Sequence, residues 1–126
     1  MIFENYRELG DHLISQTVNK LPHRDDIEYD LGYSNVSASV YLEVTLWELD
    51  EDGDPWEAIG GCNVRFSDHA DRYGSDKSIR YDNQLTNDEY GHVEIPDYKI
   101  DQLVDDAVEF IKSELTLQYN DWVKDQ

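Results

Sequence analysis

Between Val36 and Leu49 the chain alternates. Val36, Ala38, Val40, Leu42, Val44 and Leu46 are apolar, and Ser37, Ser39, Glu43 and Thr45 between them are polar, with Tyr41 and Trp47 as amphipathic exceptions. A period of two describes a strand with one face on a core and the other in water. Trp56 to Phe66 repeats the parity, placing Trp56, Ala58, Cys62, Val64 and Phe66 on its even face. Asp50-Glu51-Asp52-Gly53-Asp54 between them reads as a hairpin turn. A three-residue loop over 51–53, with Gly53 left-handed, closes it and sets Asp50 opposite Asp54. Continued outward, this register pairs Leu46 with Ala58, Leu42 with Cys62 and Val40 with Val64. Both even faces then land on one side, as a one-sided sheet requires.

The flanks complete the fold. Residues 2–21 fit an amphipathic helix, with Phe3, Tyr6, Gly10, Leu13, Thr17 and Leu21 on one stripe, widened by Leu9, Ile14 and Val18. Leu21-Pro22 ends it. Ile27 to Tyr33 is apolar at odd positions, and its short link through Ser34-Asn35 predicts an antiparallel neighbour of the hairpin. Ser67 to Asp76 reads as a polar loop. Ser78–Tyr81 and Gly91–Ile95 are further strand candidates, able to pair with each other. Asp97 is the expected N-cap of a last helix whose stripe is Ile100, Leu103, Val104, Ala107, Val108, Ile111 and Leu115. Glu114 and Gln118 fall on that stripe, so the helix is expected to leave the core there, with the tail around Trp122 a looser turn or a contact surface. The expected fold is α+β in a single domain, 1–126. An antiparallel sheet of three to five strands is built on the long hairpin, about 36–49 and 56–66, with N- and C-terminal helices on one face.

Composition narrows the function classes. The 126 residues suit one core. No apolar run approaches the roughly 20 residues of a membrane span, and the start Met-Ile-Phe-Glu-Asn-Tyr has no signal-like character, so a cytoplasmic location is expected. The single cysteine, Cys62, has inward parity and reads as a core residue. Ten basic residues against twenty-nine acidic give a formal net charge of −19. Such a field repels nucleic acid and anionic membranes and attracts basic surfaces.

Candidate chemistry is sparse. Asp68, His69, Asp71 and Asp76, with His92, offer carboxylates and imidazoles suited to a metal, but in no ligand-motif spacing. The 50–54 turn resembles a calcium loop with its glycine two places early and no closing Glu. Ser67-Asp68-His69 is contiguous, whereas a triad is assembled from separate elements. Gly60-Gly61 lies inside a strand and reads as a bulge. No enzyme, metal or cofactor is expected.

Acidic surface remains. Residues 48–57 hold six carboxylates, Glu48, Asp50, Glu51, Asp52, Asp54 and Glu57, and no basic residue. The outer face of the last helix carries Asp101, Asp105, Asp106 and Glu109, successive members of the row being about 6 Å apart along the axis. Together with Tyr41 and Trp47 on the outward sheet face, these are the candidate partner-binding residues. In size, acidity and charge clusters the whole chain resembles the small acidic proteins with which phages and mobile elements oppose host defences, the DNA-mimic kind of anti-restriction and anti-CRISPR protein. That resemblance is compositional and matches no family motif. It implies a non-enzymatic inhibitor that binds a basic nucleic-acid-handling host protein. An immunity protein or antitoxin for a nuclease toxin has the same character, and a metal-dependent enzyme using the 68–76 loop is the third class.

Overall fold

The computed structural model describes residues 1–34, 39–67, 71–73, 75–80, 86–87 and 91–126. A short strand β1 (Ile2–Phe3) precedes helix α1 (Tyr6–Asn19), followed by β2 (Ile27–Ser34), β3 (Ser39–Leu49) and β4 (Pro55–Ser67). Then come β5 (Asp71–Tyr73), β6 (Asp76–Arg80), β7 (Thr86–Asn87), β8 (Val93–Glu94) and the long helix α2 (Asp97–Lys124). The main sheet has strand order β2-β3-β4-β6-β5, and a small one has order β1-β8-β7. The fold is α+β, with its helices near the two ends of the chain.

The even face of the hairpin is the core. Val40, Leu42, Val44 and Leu46 of β3 and Cys62, Val64 and Phe66 of β4 are buried beneath Leu9, Leu13 and Ile14 of α1 and Leu103, Val104, Ala107 and Ile111 of α2. The alternation read from the sequence therefore holds. Residues 36–38 of the expected strand lie outside the described residues.

Register departs from expectation. At the turn, Asp50 and Asp54 are opposed as predicted, the Asp50 amide donating to the Asp54 carbonyl at 2.8 Å, and Gly53 has φ 83. Beyond it, β4 carries two extra residues. Leu49 pairs with Pro55 but Glu48 with Glu57, and Trp47 pairs with Ala58 but Leu46 with Gly60. Trp56 and Ile59 are the unpaired insertions of two β-bulges. One bulge flips the parity and the second restores it. Val44 consequently faces Cys62, Leu42 faces Val64 and Val40 faces Phe66, and the predicted pairs Leu46/Ala58, Leu42/Cys62 and Val40/Val64 do not form. Trp56 and Ala58, expected inside, are exposed, Trp56 at 60%.

Other differences come from long-range pairing and capping. Ile2 and Phe3 pair with Glu94 and Val93 instead of starting the helix. The helix begins after Asn5, whose side chain accepts the Glu8 amide at 2.9 Å while the Glu8 carboxylate accepts the Glu4 amide at 3.0 Å. Pro96, not Asp97, holds the N-cap position of α2, and Asp97 sits in the first turn, where its charge complements the helix dipole. The main sheet is mixed, because β6 runs parallel to β4 from Asn63↔Asp76 to Ser67↔Arg80. Within the described residues the two late segments join different sheets and do not pair with each other. The helix continues straight through Glu114 and Gln118 to Lys124.

Candidate interaction surfaces

With both helices on the even face, the described residues leave the opposite face of the main sheet open. Cross-strand pairing sets its rows. Asp30 of β2 faces Glu43 of β3, which faces Asn63 of β4, which faces Asp76 of β6. The next row runs Gly32, Tyr41, Arg65, Ser78. Tyr41, half-buried, lays its ring over Gly32, where a Cβ would overlap the ring atoms. This is the aromatic cover that a strand glycine invites. The Arg65 guanidinium sits 5.9 Å from the centre of the same ring. Tyr41, Glu43, Asn63, Arg65, Asp76, Lys77 and Ser78 line a shallow depression of about 270 Å³.

The acidic corner of this face is under electrostatic tension. Asp30 and Glu43 are directly opposed carboxylates, an arrangement that destabilises a strand pair. Glu28 lies beside them, its carboxylate accepting the Trp47 indole N–H at 3.2 Å. Neither Glu28, Asp30 nor Glu43 has an ion-pair partner among the described residues. A hydrogen bond shared with Asp30 and then the charge of Asp30 push the Glu28 carboxyl above its ordinary value of 4.5, with desolvation and Glu43 adding and Trp47 opposing. A carboxyl whose folded pKa is raised contributes stability below its unfolded pKa and loses it as pH rises through the folded value. Melting temperature should therefore rise as pH is lowered toward the ordinary carboxyl value of 4.5, and Glu28→Gln should flatten part of that rise. An identical pH dependence in the Gln variant would show that Glu28 carries none of the tension.

The 48–57 segment is the tip of a hairpin arm. The β2 ladder ends at Ile27↔Leu46 with one further bond, from the Trp47 amide to the Asp26 carbonyl. Beyond Trp47 the strands run on unaccompanied among the described residues, and residues 49–58 are all exposed. Glu48 and Glu57 form a second directly opposed carboxylate pair. Glu51, Asp52, Asp54 and Glu57 are exposed, and Glu48 is half-buried. Asp50 has a structural task, since its Oδ1 accepts the amides of Asp52 and Asp54, both at 2.9 Å. That is an Asx-type turn.

Asp101, Asp105, Asp106 and Glu109 are exposed on α2 as expected, with Asp105 3.2 Å from the Lys20 ammonium. An exposed pair of this kind contributes about 0–1 kcal/mol. The helix row and the hairpin tip are not one surface. Gln118 is pinned to Gly61, its Oε1 accepting the Gly61 amide at 2.6 Å and its Nε2 donating to the Gly61 carbonyl at 2.8 Å. Lys77, which pairs with Val64, lies 5.6 Å over the Phe110 ring, so α2 runs toward the turn end of β4. From Gln118 the helix extends about 20 Å back to Asp105. The hairpin extends about 17 Å the other way, the five β3 residues from Thr45, which faces Gly61, to Asp50 at the turn. The two acidic regions occupy opposite ends of the molecule.

Gln118 also explains the polar residues on the α2 stripe. Strand β6 starts pairing only at Asn63, so among the described residues no strand lies beside the Gly61 main chain on that side, and the Gln118 amide takes that place. Glu114 is buried next to it and accepts from Gln118 Nε2 at 3.2 Å. Sequence reasoning missed Glu28, Asp30 and Gln118. The even parity of Glu28 and Asp30 was visible, but their opposition to Glu43 depends on the β2–β3 register.

Of the metal candidates, Asp68 and His69 lie outside the described residues, as does most of the Ser67-Asp68-His69 trio. Asp71 is in β5 and Asp76 accepts from Asn63 Nδ2 at 3.1 Å. Among the described residues no three His, Cys, Asp or Glu side chains gather as a metal site. Cys62 is buried, and its thiol is pushed up to about 12, by burial first and then by the charges of Glu114 and Asp76. The thiolate is the reactive form. Iodoacetamide at neutral pH should leave Cys62 intact in the native protein and alkylate it in denaturant, and rapid native labelling would contradict its burial. Among the described residues no helix is long and apolar enough to cross a membrane. Comparison of the chain with known protein families, with curated proteins and with solved structures finds no match.

Proposed function

We propose that this protein is an acidic, non-enzymatic inhibitor that binds a basic nucleic-acid-handling protein and occupies the surface its nucleic acid would take, in the manner of a phage anti-defence DNA mimic. The observation that carries the reading is the two pairs of directly opposed carboxylates, Asp30 with Glu43 and Glu48 with Glu57. A sheet selected for stability alone would place opposite charges there. On the open face Glu28, Asp30 and Glu43 are neighbours across strands at about 5 Å and along β2 at about 7 Å, an anionic cluster on a scaffold of net charge −19. Glu48 and Glu57, of the other parity, add their charge at the hairpin tip. A cationic groove relieves that repulsion on binding, and carboxylates offer it no base edges to read.

Competition tests the proposal. The immobilised protein should retain from host lysate a nucleic-acid-handling protein that duplex DNA displaces, with retention falling steeply as salt rises. Retention of a protein that DNA does not displace overturns the mimic reading.

A further inference from the structure

Strand β2 is an edge of the main sheet, with β3 its only strand neighbour among the described residues. Its hydrogen-bonding phase can be fixed. The Trp47 amide donates to the Asp26 carbonyl at 2.7 Å, so Asp26 and Trp47 form a hydrogen-bonded pair. Every second pair along the ladder shares that character: Glu28/Thr45, Asp30/Glu43 and Gly32/Tyr41. The intervening residues Tyr29 and Leu31 therefore turn their N–H and C=O groups away from β3, toward the open edge. Neither makes a main-chain bond on that side among the described residues.

The two faces of this edge differ in chemistry. On the helix side Leu31 pairs with Leu42, which is 1% exposed, yet Leu31 itself is 59% exposed. On the open side stand Glu28 and Asp30, both exposed and crowded by Glu43. Exposed edge strands ordinarily invite aggregation, and carboxylates discourage it. A second copy of this chain would bring the same carboxylates and another formal charge of −19 against this edge.

We infer that β2 is a docking edge for an extended segment of a basic partner, in which lysine or arginine alternates with apolar residues. Main-chain bonds to Tyr29 and Leu31 supply affinity, apolar side chains cover Leu31, and the basic side chains between them meet Glu28 and Asp30. The inference deepens the functional reading above and rests on it for the partner's basic character.

The probe is a synthetic peptide of alternating lysine and valine, matched to the 8 residues of β2. Amide exchange followed by NMR should slow at Tyr29 and Leu31 when the peptide is saturating. A version N-methylated at alternate residues keeps the charge but cannot pair, and should bind about 10-fold more weakly. Leu31→Lys and Asp30→Lys, both at exposed positions, should each weaken binding of the unmodified peptide by about 10-fold. Equal binding of the methylated peptide, or unprotected Tyr29 and Leu31 amides, overturns the inference. The functional reading has a separate fate. A DNA-displaceable partner held equally by wild type and Leu31→Lys removes the edge from that interaction, whereas peptide pairing without any DNA-displaceable partner leaves the edge standing and removes the inhibitor reading.

Discussion

Gly61→Ala should lower the melting temperature by about 10–20 °C. A Cβ at this position falls on the carbonyl oxygen of Val44, a main-chain atom in the middle of β3 that has no rotamer by which to withdraw. The strands would have to separate locally. Forced overpacking of a core costs about 1–3 kcal/mol. The same displacement strains the double hydrogen bond between Gln118 and the Gly61 main chain, each part of which contributes about 1 kcal/mol net. Against a total stability of about 5–15 kcal/mol, a loss of about 3–4 kcal/mol is severe, and for a chain of this size each kcal/mol moves the midpoint by about 3–5 °C. Circular dichroism melting checks it. Gln118→Leu is the companion variant, which breaks both bonds without the clash and should fall between wild type and Gly61→Ala. A Gly61→Ala midpoint within about 3 °C of wild type would mean that β3 and β4 approach less closely than described.

Reversal of Glu51, Asp52 and Asp54 to lysine should slow association with the proposed basic partner by about 100-fold at low salt and flatten its salt dependence. All three carboxylates are exposed at the hairpin tip, and each reversal adds two charges, so three take the formal total from −19 to −13. Asp50 must be left alone, because its carboxylate holds the amides of Asp52 and Asp54 and its loss would open the turn. Asp101→Lys with Asp105→Lys should cost less than about 3-fold, since that row lies at the other end of the molecule and Asp105 already faces Lys20. Stopped-flow kinetics across a salt series measures both. If neither set changes the rate or its salt dependence, charge is not what the partner recognises, and the Tyr41/Trp47 sheet face becomes the surface to test.

The core of this fold was legible because alternation is a local signal. Val40, Leu42, Val44, Val64 and Phe66 declare their face through their spacing, and Asp50 to Asp54 declares the turn through Gly53. The bulges at Trp56 and Ile59 were hidden because two of them cancel in parity. Only the arm between them shows the flip, and it carries Trp56 and Ala58 into solvent. The β1–β8 and β4–β6 pairings join segments that are far apart or parallel, for which the chain offers no turn signal. On α2, Glu114 and Gln118 were read as the place where the helix leaves the core. A polar side chain on an apolar stripe has a second option, which is to serve an unmet main-chain group, and Gln118 takes it. The acidic regions were visible as composition, but their division between two ends and the opposed pairs Asp30/Glu43 and Glu48/Glu57 required the register.

The contact at Gly61 has a mechanical consequence for the hairpin. Clamped at its root by the Gln118 amide and unsupported beyond Trp47 among the described residues, the arm is a cantilever. With about 17 Å of hairpin between root and tip, a bend of about 5° at the root sweeps the tip carboxylates through about 1.5 Å. That displacement is enough to make or break a charged hydrogen bond to whatever faces them. Where Glu51, Asp52 and Asp54 can reach is therefore decided at Gly61, by an amide 57 residues away in sequence, and not in the turn that carries them.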